Sequence, residues 1–350
     1  MLTLEQTQLT KLNRLLNEVW ERNPFYTHKW CQAGVTLHQI ATPEDLASFP
    51  LTTRAEFVAD QSANPPLGTN LTYPLADFKR IHRSSGTTRD PVFWVDTSQS
   101  WQWVMECSQA LFLTSGIKPS DRLFFAMPFG ASSGPRIIYE GACRLGCCCF
   151  NAGQAESAEQ LRCLKDFRPT VVVGKPSRLQ VLAMSAENSG INPKSLGVQK
   201  LILTGEPCLH PRRVQIEQLW DASCFDRYGL TEAGSVASEC AAHSGGMHIL
   251  ENEFLAEVVR PDAPEFARDG ELGELVLTNL GRFGRPIVRY RTGDLVRLIR
   301  NHHCPCGRTD ALLVGGVNRM EITSARATLV PQLGFSSASL RPDHPAQPRT

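Results

Sequence analysis

No lysine follows Lys200 in this 350-residue chain, and no apolar run approaches the length of a membrane span. A Walker-type phosphate loop (Gly, any four residues, then Gly-Lys-Ser/Thr) is also absent. The missing apolar run argues against a transmembrane segment, and the missing loop argues against the common nucleoside-triphosphatase architecture. Charge of one sign is lacking as well. Lys+Arg total 36 against Asp+Glu 35, a formal net charge of +1, which leaves no broad electrostatic footprint for nucleic acid or an anionic membrane. The N-terminus carries Glu5 and no basic-then-apolar pattern, so it does not read as a signal peptide, and a cytoplasmic location is expected. The 42% apolar and 20% charged fractions are those of a soluble globular protein long enough for one large folding unit or two domains.

Cysteine is plentiful, with twelve residues, but disulfide scaffolds belong to short secreted chains, so reduced thiols are expected. Cys147, Cys148 and Cys149 are consecutive in a stretch that reads as a buried strand, where they would serve as small apolar core residues.

Thr3 and Gln6 form a capping box ahead of Leu9, Leu12, Leu15, Leu16, Val19 and Trp20, which recur at helical spacing until Asn23-Pro24 ends the pattern. A loop-rich region is expected from there to about Asp77. Between residues 98 and 228, helical stretches (101–113, 137–145, 157–167, 176–187) alternate with short apolar runs (122–127, 147–150, 170–173, 200–204). Buried strands alternating with helices predict βαβ units and an α/β fold with a mainly parallel sheet flanked by helices. Such sheets place ligands past the carboxyl ends of their strands, where Thr204-Gly205-Glu206-Pro207 and Tyr228-Gly229 fall. After about residue 235, helical periodicity fades, and 248–259, 271–280 and 286–299 read as strands of a β-rich subdomain. The expected organisation is a helical and loop region at 1–78, an α/β nucleotide-binding core at 79–235, the β-rich subdomain at 236–314, and a hinge remnant with a disordered tail at 315–350.

Three segments carry chemistry. Ser84-Ser85-Gly86-Thr87-Thr88 combines hydroxyl donors with a glycine that allows close backbone approach, a composition suited to a polyphosphate. The others are Tyr228-Gly229-Leu230-Thr231-Glu232 and Tyr290-Arg291-Thr292-Gly293-Asp294-Leu295. Each alone reads equally well as a turn. Together and in this order they resemble the adenylate-forming superfamily, most closely its phenylacetate–CoA ligase branch. The resemblance covers about Leu4 to Met320.

The resemblance implies ATP-dependent activation of an aryl or other small carboxylate as an acyl-adenylate, followed by transfer to CoA or to a carrier-protein thiol. It implies that Ser84, Ser85, Gly86, Thr87 and Thr88 embrace the β- and γ-phosphates, that Thr231 touches the α-phosphate, and that Glu232 holds Mg2+. Tyr228, beside Gly229, would stack on adenine, Gly205, Glu206 and Pro207 would line its pocket, and Asp294 would accept hydrogen bonds from the ribose hydroxyls. No nucleic-acid or membrane partner is implied, and a homodimer is compatible. Leu51-Thr52-Thr53-Arg54 looks like the family's approach segment to the phosphate loop.

Two departures stand out. Arg89 and Asp90 occupy positions where the family usually has glycine and lysine, which weakens the expected phosphate grip. The hinge stretch Gly315-Gly316-Val317-Asn318-Arg319-Met320 has Gly316 and Asn318 in place of arginine and aspartate, and the lysine-bearing lid domain is expected to be missing from this chain. A nucleotide-binding remnant with little turnover is therefore an alternative to a working ligase.

Cys304-Pro305-Cys306 lies in a loop with His302 and His303, and Cys240, His243 and His248 lie upstream. Three thiolates and an imidazole suit a closed tetrahedral zinc site. Some members of the branch carry a similar set, and the candidate ligands are Cys240, His248, Cys304 and Cys306, with His243 as substitute. Phe129 and Tyr139 are candidates to border the acyl group.

Overall fold

The computed structural model describes residues 3–36, 40–84, 91–261, 265–300, 302–319, 322–323 and 326–327. Helix α1 (Leu4–Val19) starts at the expected capping box: Thr3 Oγ1 accepts from the Gln6 amide, and Gln6 Oε1 accepts from the Thr3 amide. It buries Leu12, Leu15, Leu16 and Val19. The following segment is not the loop-rich region expected. It contains α2 (Pro24–Gln32) and α3 (Arg54–Ala63). Asn23-Pro24 ends one helix and begins the next, because Asn23 caps the Tyr26 amide and proline's fixed φ suits a first helical turn. Each helix buries only two side chains, Tyr26 and Trp30 in α2 and Phe57 and Gln61 in α3, too few to register as a periodic stripe.

Strands β1 (Phe78–Arg83) and β2 (Phe93–Thr97) form an antiparallel hairpin around the candidate phosphate loop. The predicted alternation follows: α4 (Ser98–Thr114), β3 (Arg122–Phe125), α5 (Gly134–Leu145), β4 (Cys148–Asn151), α6 (Ser157–Phe167), β5 (Val171–Gly174), α7 (Pro176–Asn188), β6 (Lys200–Leu203), α8 (His210–Trp220) and β7 (Ser223–Leu230). The strands β8 (Gly234–Cys240), β9 (His243–Ile249), β10 (Phe254–Val259), β11 (Leu272–Asn279), β12 (Tyr290–Ile299) and β13 (Leu312–Arg319) complete the described core. The stretch read as one strand at 248–259 is the end of β9, a turn, and β10.

These strands form an 11-stranded sheet in the order β10-β11-β12-β13-β9-β8-β7-β6-β5-β3-β4. Pairing is parallel from β4 through β7 and antiparallel from β7 to β10, so the change of sequence character after β7 is a change of strand direction within a continuous sheet. Strand β4 is at the edge, which corrects the reading of Cys147–149 as wholly buried: Cys147 is buried, Cys148 is exposed, and Cys149 is partly covered. All described cysteines are free thiols. Among the described residues no helix is long and apolar enough to cross a membrane. Phe57, Trp94 and Tyr290 pack ring against ring at the centre and fix α3 and the β1–β2 hairpin to β12.

Candidate active site and metal centre

Parallel strands β6 and β7 lie side by side with Leu203 opposite Asp226, and residues 204–207 follow the end of β6 as expected, whereas Tyr228 and Gly229, expected past a strand end, lie within β7 and pair with β8. Gly205 turns with φ +78°, and Glu206 accepts from the Ser177 amide at 3.3 Å with Lys175 Nζ 3.5 Å away. Gly205 and Pro207 are exposed. At Gly229 a Cβ would stand 2.4 Å from the Gly234 carbonyl oxygen, so the close return of β8 onto β7 requires glycine there.

Tyr228 of β7 meets Asp294 of β12. The phenol donates to Asp294 Oδ2 at 2.7 Å, while Arg319 Nη1 of β13 donates to Oδ1 at 2.9 Å. Asp294 is 4% exposed, and its amide bonds Thr292 Oγ1 at 3.1 Å. Burial pushes the Asp294 carboxyl above the usual carboxylate range, against the pull of Arg319. Burial and the neighbouring Asp294 charge raise the Tyr228 phenol well above its ordinary value.

Glu232, 7% exposed, sits in the β7–β8 turn with Thr231. Arg54, the first residue of α3, donates to Glu232 Oε1 at 3.1 Å and to Ser84 Oγ at 3.1 Å. Ser84 also accepts from the Val92 amide at 3.1 Å, across the base of the candidate phosphate loop. The remaining loop candidates, Ser85, Gly86, Thr87 and Thr88, lie outside the described residues, as do Arg89, Asp90 and Met320. Mg2+ is usually held by one or two carboxylates plus phosphate oxygens and water, and Glu232, now paired with Arg54, is the carboxylate that would offer it an oxygen here.

Arg54, Arg282 and Arg319 are the residues to which sequence reasoning gave no role. Arg54 stood in the noted approach segment and Arg319 in the hinge stretch. Arg282 had only the repeated Gly-Arg of Gly281-Arg282-Phe283-Gly284-Arg285 as a signal.

The four candidate zinc ligands converge. Donor atoms of Cys240, His248, Cys304 and Cys306 all lie within 4.8 Å of one another. Cys240 Sγ and Cys304 Sγ are 3.5 Å apart, as are Cys306 Sγ and His248 Nε2. A tetrahedron with zinc–sulfur bonds of about 2.3 Å has edges of roughly 3.7 Å, so the donor set fits zinc in chemistry and in size. His248 Nδ1 is 3.3 Å from the Asp310 carbonyl oxygen, the kind of outer contact that orients a ligating imidazole. The side chain of His243, the substitute ligand, lies outside the described set.

Phe129 and Tyr139 stand edge to face at 5.2 Å, both half-buried, with Arg136 5.6 Å above the Phe129 ring. Tyr139 also packs on Phe125 at 5.0 Å, which ties the pair to the end of β3.

No protein-family model matches the chain. It is 32% identical over 326 residues to a phenylacetate–coenzyme A ligase of Pseudomonas putida, covering 90% of this chain and 73% of that protein. The phenylacetate–coenzyme A ligase of Thermus thermophilus is likewise 32% identical, over 329 residues and the same shares of the two chains. A crystal structure of 2-hydroxyisobutyryl-CoA ligase with 2-HIB-AMP and CoA superposes with a TM-score of 0.85 at 27% identity, covering 90% of this chain and 67% of that one. The fold, the order of the motifs and these likenesses agree, and the chain belongs to the phenylacetate–CoA ligase family of adenylate-forming enzymes.

Proposed function

We propose that this chain binds ATP with Mg2+ and activates an aryl or other small carboxylate as its acyl-adenylate, for transfer to CoA. The observation that carries the reading is the Arg54 bridge, which links the base of the phosphate loop at Ser84 to the buried Glu232 carboxylate. A cation held between a hydroxyl loop and an acidic group is what a polyphosphate site needs to balance charge. The likeness to ligases crystallised with an acyl-AMP and CoA supports the same chemistry.

In this reading Ser84 and the 85–88 stretch hold the β- and γ-phosphates. Thr231 contacts the α-phosphate, and Glu232 would hold Mg2+, which supplies charge neutralisation when bound. Tyr228 offers a face for adenine, Gly205–Pro207 the pocket wall, and Asp294 the acceptor for the ribose hydroxyls. Phe129 and Tyr139 border the acyl group, and a hydrophobic wall of this kind discriminates poorly among similar acids. Zinc at Cys240, His248, Cys304 and Cys306 acts as a structural brace, because four protein ligands leave no open position.

The test is exchange of labelled pyrophosphate into ATP across a panel of aryl and short-chain carboxylates, with thioester formation from CoA as the second readout. Carboxylate-dependent exchange is expected. A folded protein that neither binds ATP nor supports exchange with any acid overturns the reading.

A further inference from the structure

We propose that Arg282, backed by Asp96, is a positioning residue for the adenylation site, fixing Thr231 and Glu232 through their main-chain carbonyls. The proposal rests on the nucleotide reading of those two residues. Arg282 is fully buried, and its Nη1 donates to the Thr231 carbonyl at 2.8 Å and to the Glu232 carbonyl at 2.9 Å. Its other edge grips Asp96 in a two-point fork, Nε to Oδ1 at 2.7 Å and Nη2 to Oδ2 at 2.6 Å.

Asp96 belongs to β2, which leaves the candidate phosphate loop, and His82 of β1, which leads towards it, brings Nε2 to 3.5 Å from the same carboxylate. The His82 ring stacks on Trp101 at 4.9 Å. Burial would push the Asp96 carboxyl up, yet Arg282 and His82 together hold it below its ordinary value. Glu232 is thus held at both ends, its carbonyl by Arg282 and its carboxylate by Arg54. The loop base and the acidic turn share one rigid frame.

Stability alone is a poor reason for such a pair, because a buried ion pair adds little over well-packed apolar side chains. Only a planar guanidinium spans two carbonyls and a carboxylate at once, so lysine is not equivalent here. Outer partners of metal-binding groups typically set metal affinity by about 10–100-fold, which is the scale expected.

The experiment is calorimetric ATP binding with and without Mg2+, on wild type, Arg282→Lys and Asp96→Asn, with thermal melts recorded alongside. Arg282→Lys is expected to lower the Mg2+-dependent gain in ATP affinity about tenfold or more, beyond any loss of Mg2+-free affinity that displacement of Thr231 causes. Asp96→Asn, which keeps the volume, should shift the gain in the same direction. Folded variants with a lowered melting temperature and an unchanged Mg2+ gain overturn the positioning role. A wild-type protein that binds no ATP overturns the nucleotide reading instead, so the two failures are distinct.

Discussion

Tyr228 of β7 and Asp294 of β12, 66 residues apart in the chain, are joined by a 2.7 Å hydrogen bond. The contact brings together the aromatic face assigned to adenine and the carboxylate assigned to ribose. Arg319 completes the cluster from β13 and holds the other carboxylate oxygen. A nucleoside placed here meets acceptors already oriented, which limits the ordering cost of binding.

Asp294→Ala is expected to weaken ATP binding by about tenfold or more, since hydrogen bonds to a charged group contribute roughly 1.5–3 kcal/mol. Tyr228→Phe keeps the ring and loses only the phenol–carboxylate bond, so its effect should stay within a few-fold. Calorimetry on both variants decides the matter. Equal losses would place the energetic weight on the phenol instead of the carboxylate.

The raised Asp294 carboxyl gives ATP binding an acid limb. As the pH falls through its folded-state pKa, above the ordinary 3.8, the carboxylate gains a proton and stops accepting from both ribose hydroxyls. Arg319 lowers that pKa, so Arg319→Ala should move the acid limb to higher pH. A binding profile unchanged by Arg319→Ala would show that the arginine does not govern the charge of Asp294.

One zinc per chain is expected by elemental analysis of protein purified without chelator. Stripping the metal should lower the melting temperature by several degrees and expose Cys240 and Cys304 to thiol reagents, because both are buried in the folded chain. Cys304→Ser should reproduce the loss, whereas Cys163→Ser on α6 should leave zinc content unchanged. A zinc-free protein with the same melting temperature would refute the brace.

Asp226 supplies a pH-dependent stability term. Burial first, and then the Glu239 carboxylate, lift its folded-state carboxyl to about 7, against the attraction of Arg213. Because the folded state binds the proton more tightly, this group's stabilising contribution is present below the unfolded value of 3.8 and is lost as pH rises towards 7. Asp226→Asn removes the titration. The stability of the variant relative to wild type should grow between these pH values, by at most about 1.4 kcal/mol per pH unit, and level off above neutrality. Denaturant titrations at several pH values measure the difference, and a constant difference would show that Asp226 stays ionised when buried.

Much of the fold is legible in the residues. Helices α4, α6 and α7 and strands β3, β5 and β6 lie within a few residues of their predicted places, because each buried apolar run or stripe is long enough to declare its period. The short helices α2 and α3 escaped notice because their anchoring comes from Trp30, Phe49, Phe57 and Trp94 packing at a distance. The edge position of β4 escaped for a related reason: a cysteine run looks apolar whether or not another strand covers it.

By itself the sequence determined the types of elements, the turn glycines and the chemistry of each donor, because these depend on local backbone sterics, hydrophobic period and side-chain identity. Tertiary structure decided which groups meet. Arg54 reaches Glu232 across 178 residues, and Arg282 joins Asp96 across 186. Such pairings follow from strand order and register, which depend on how whole faces pack together and leave no periodic mark at either end of the contact.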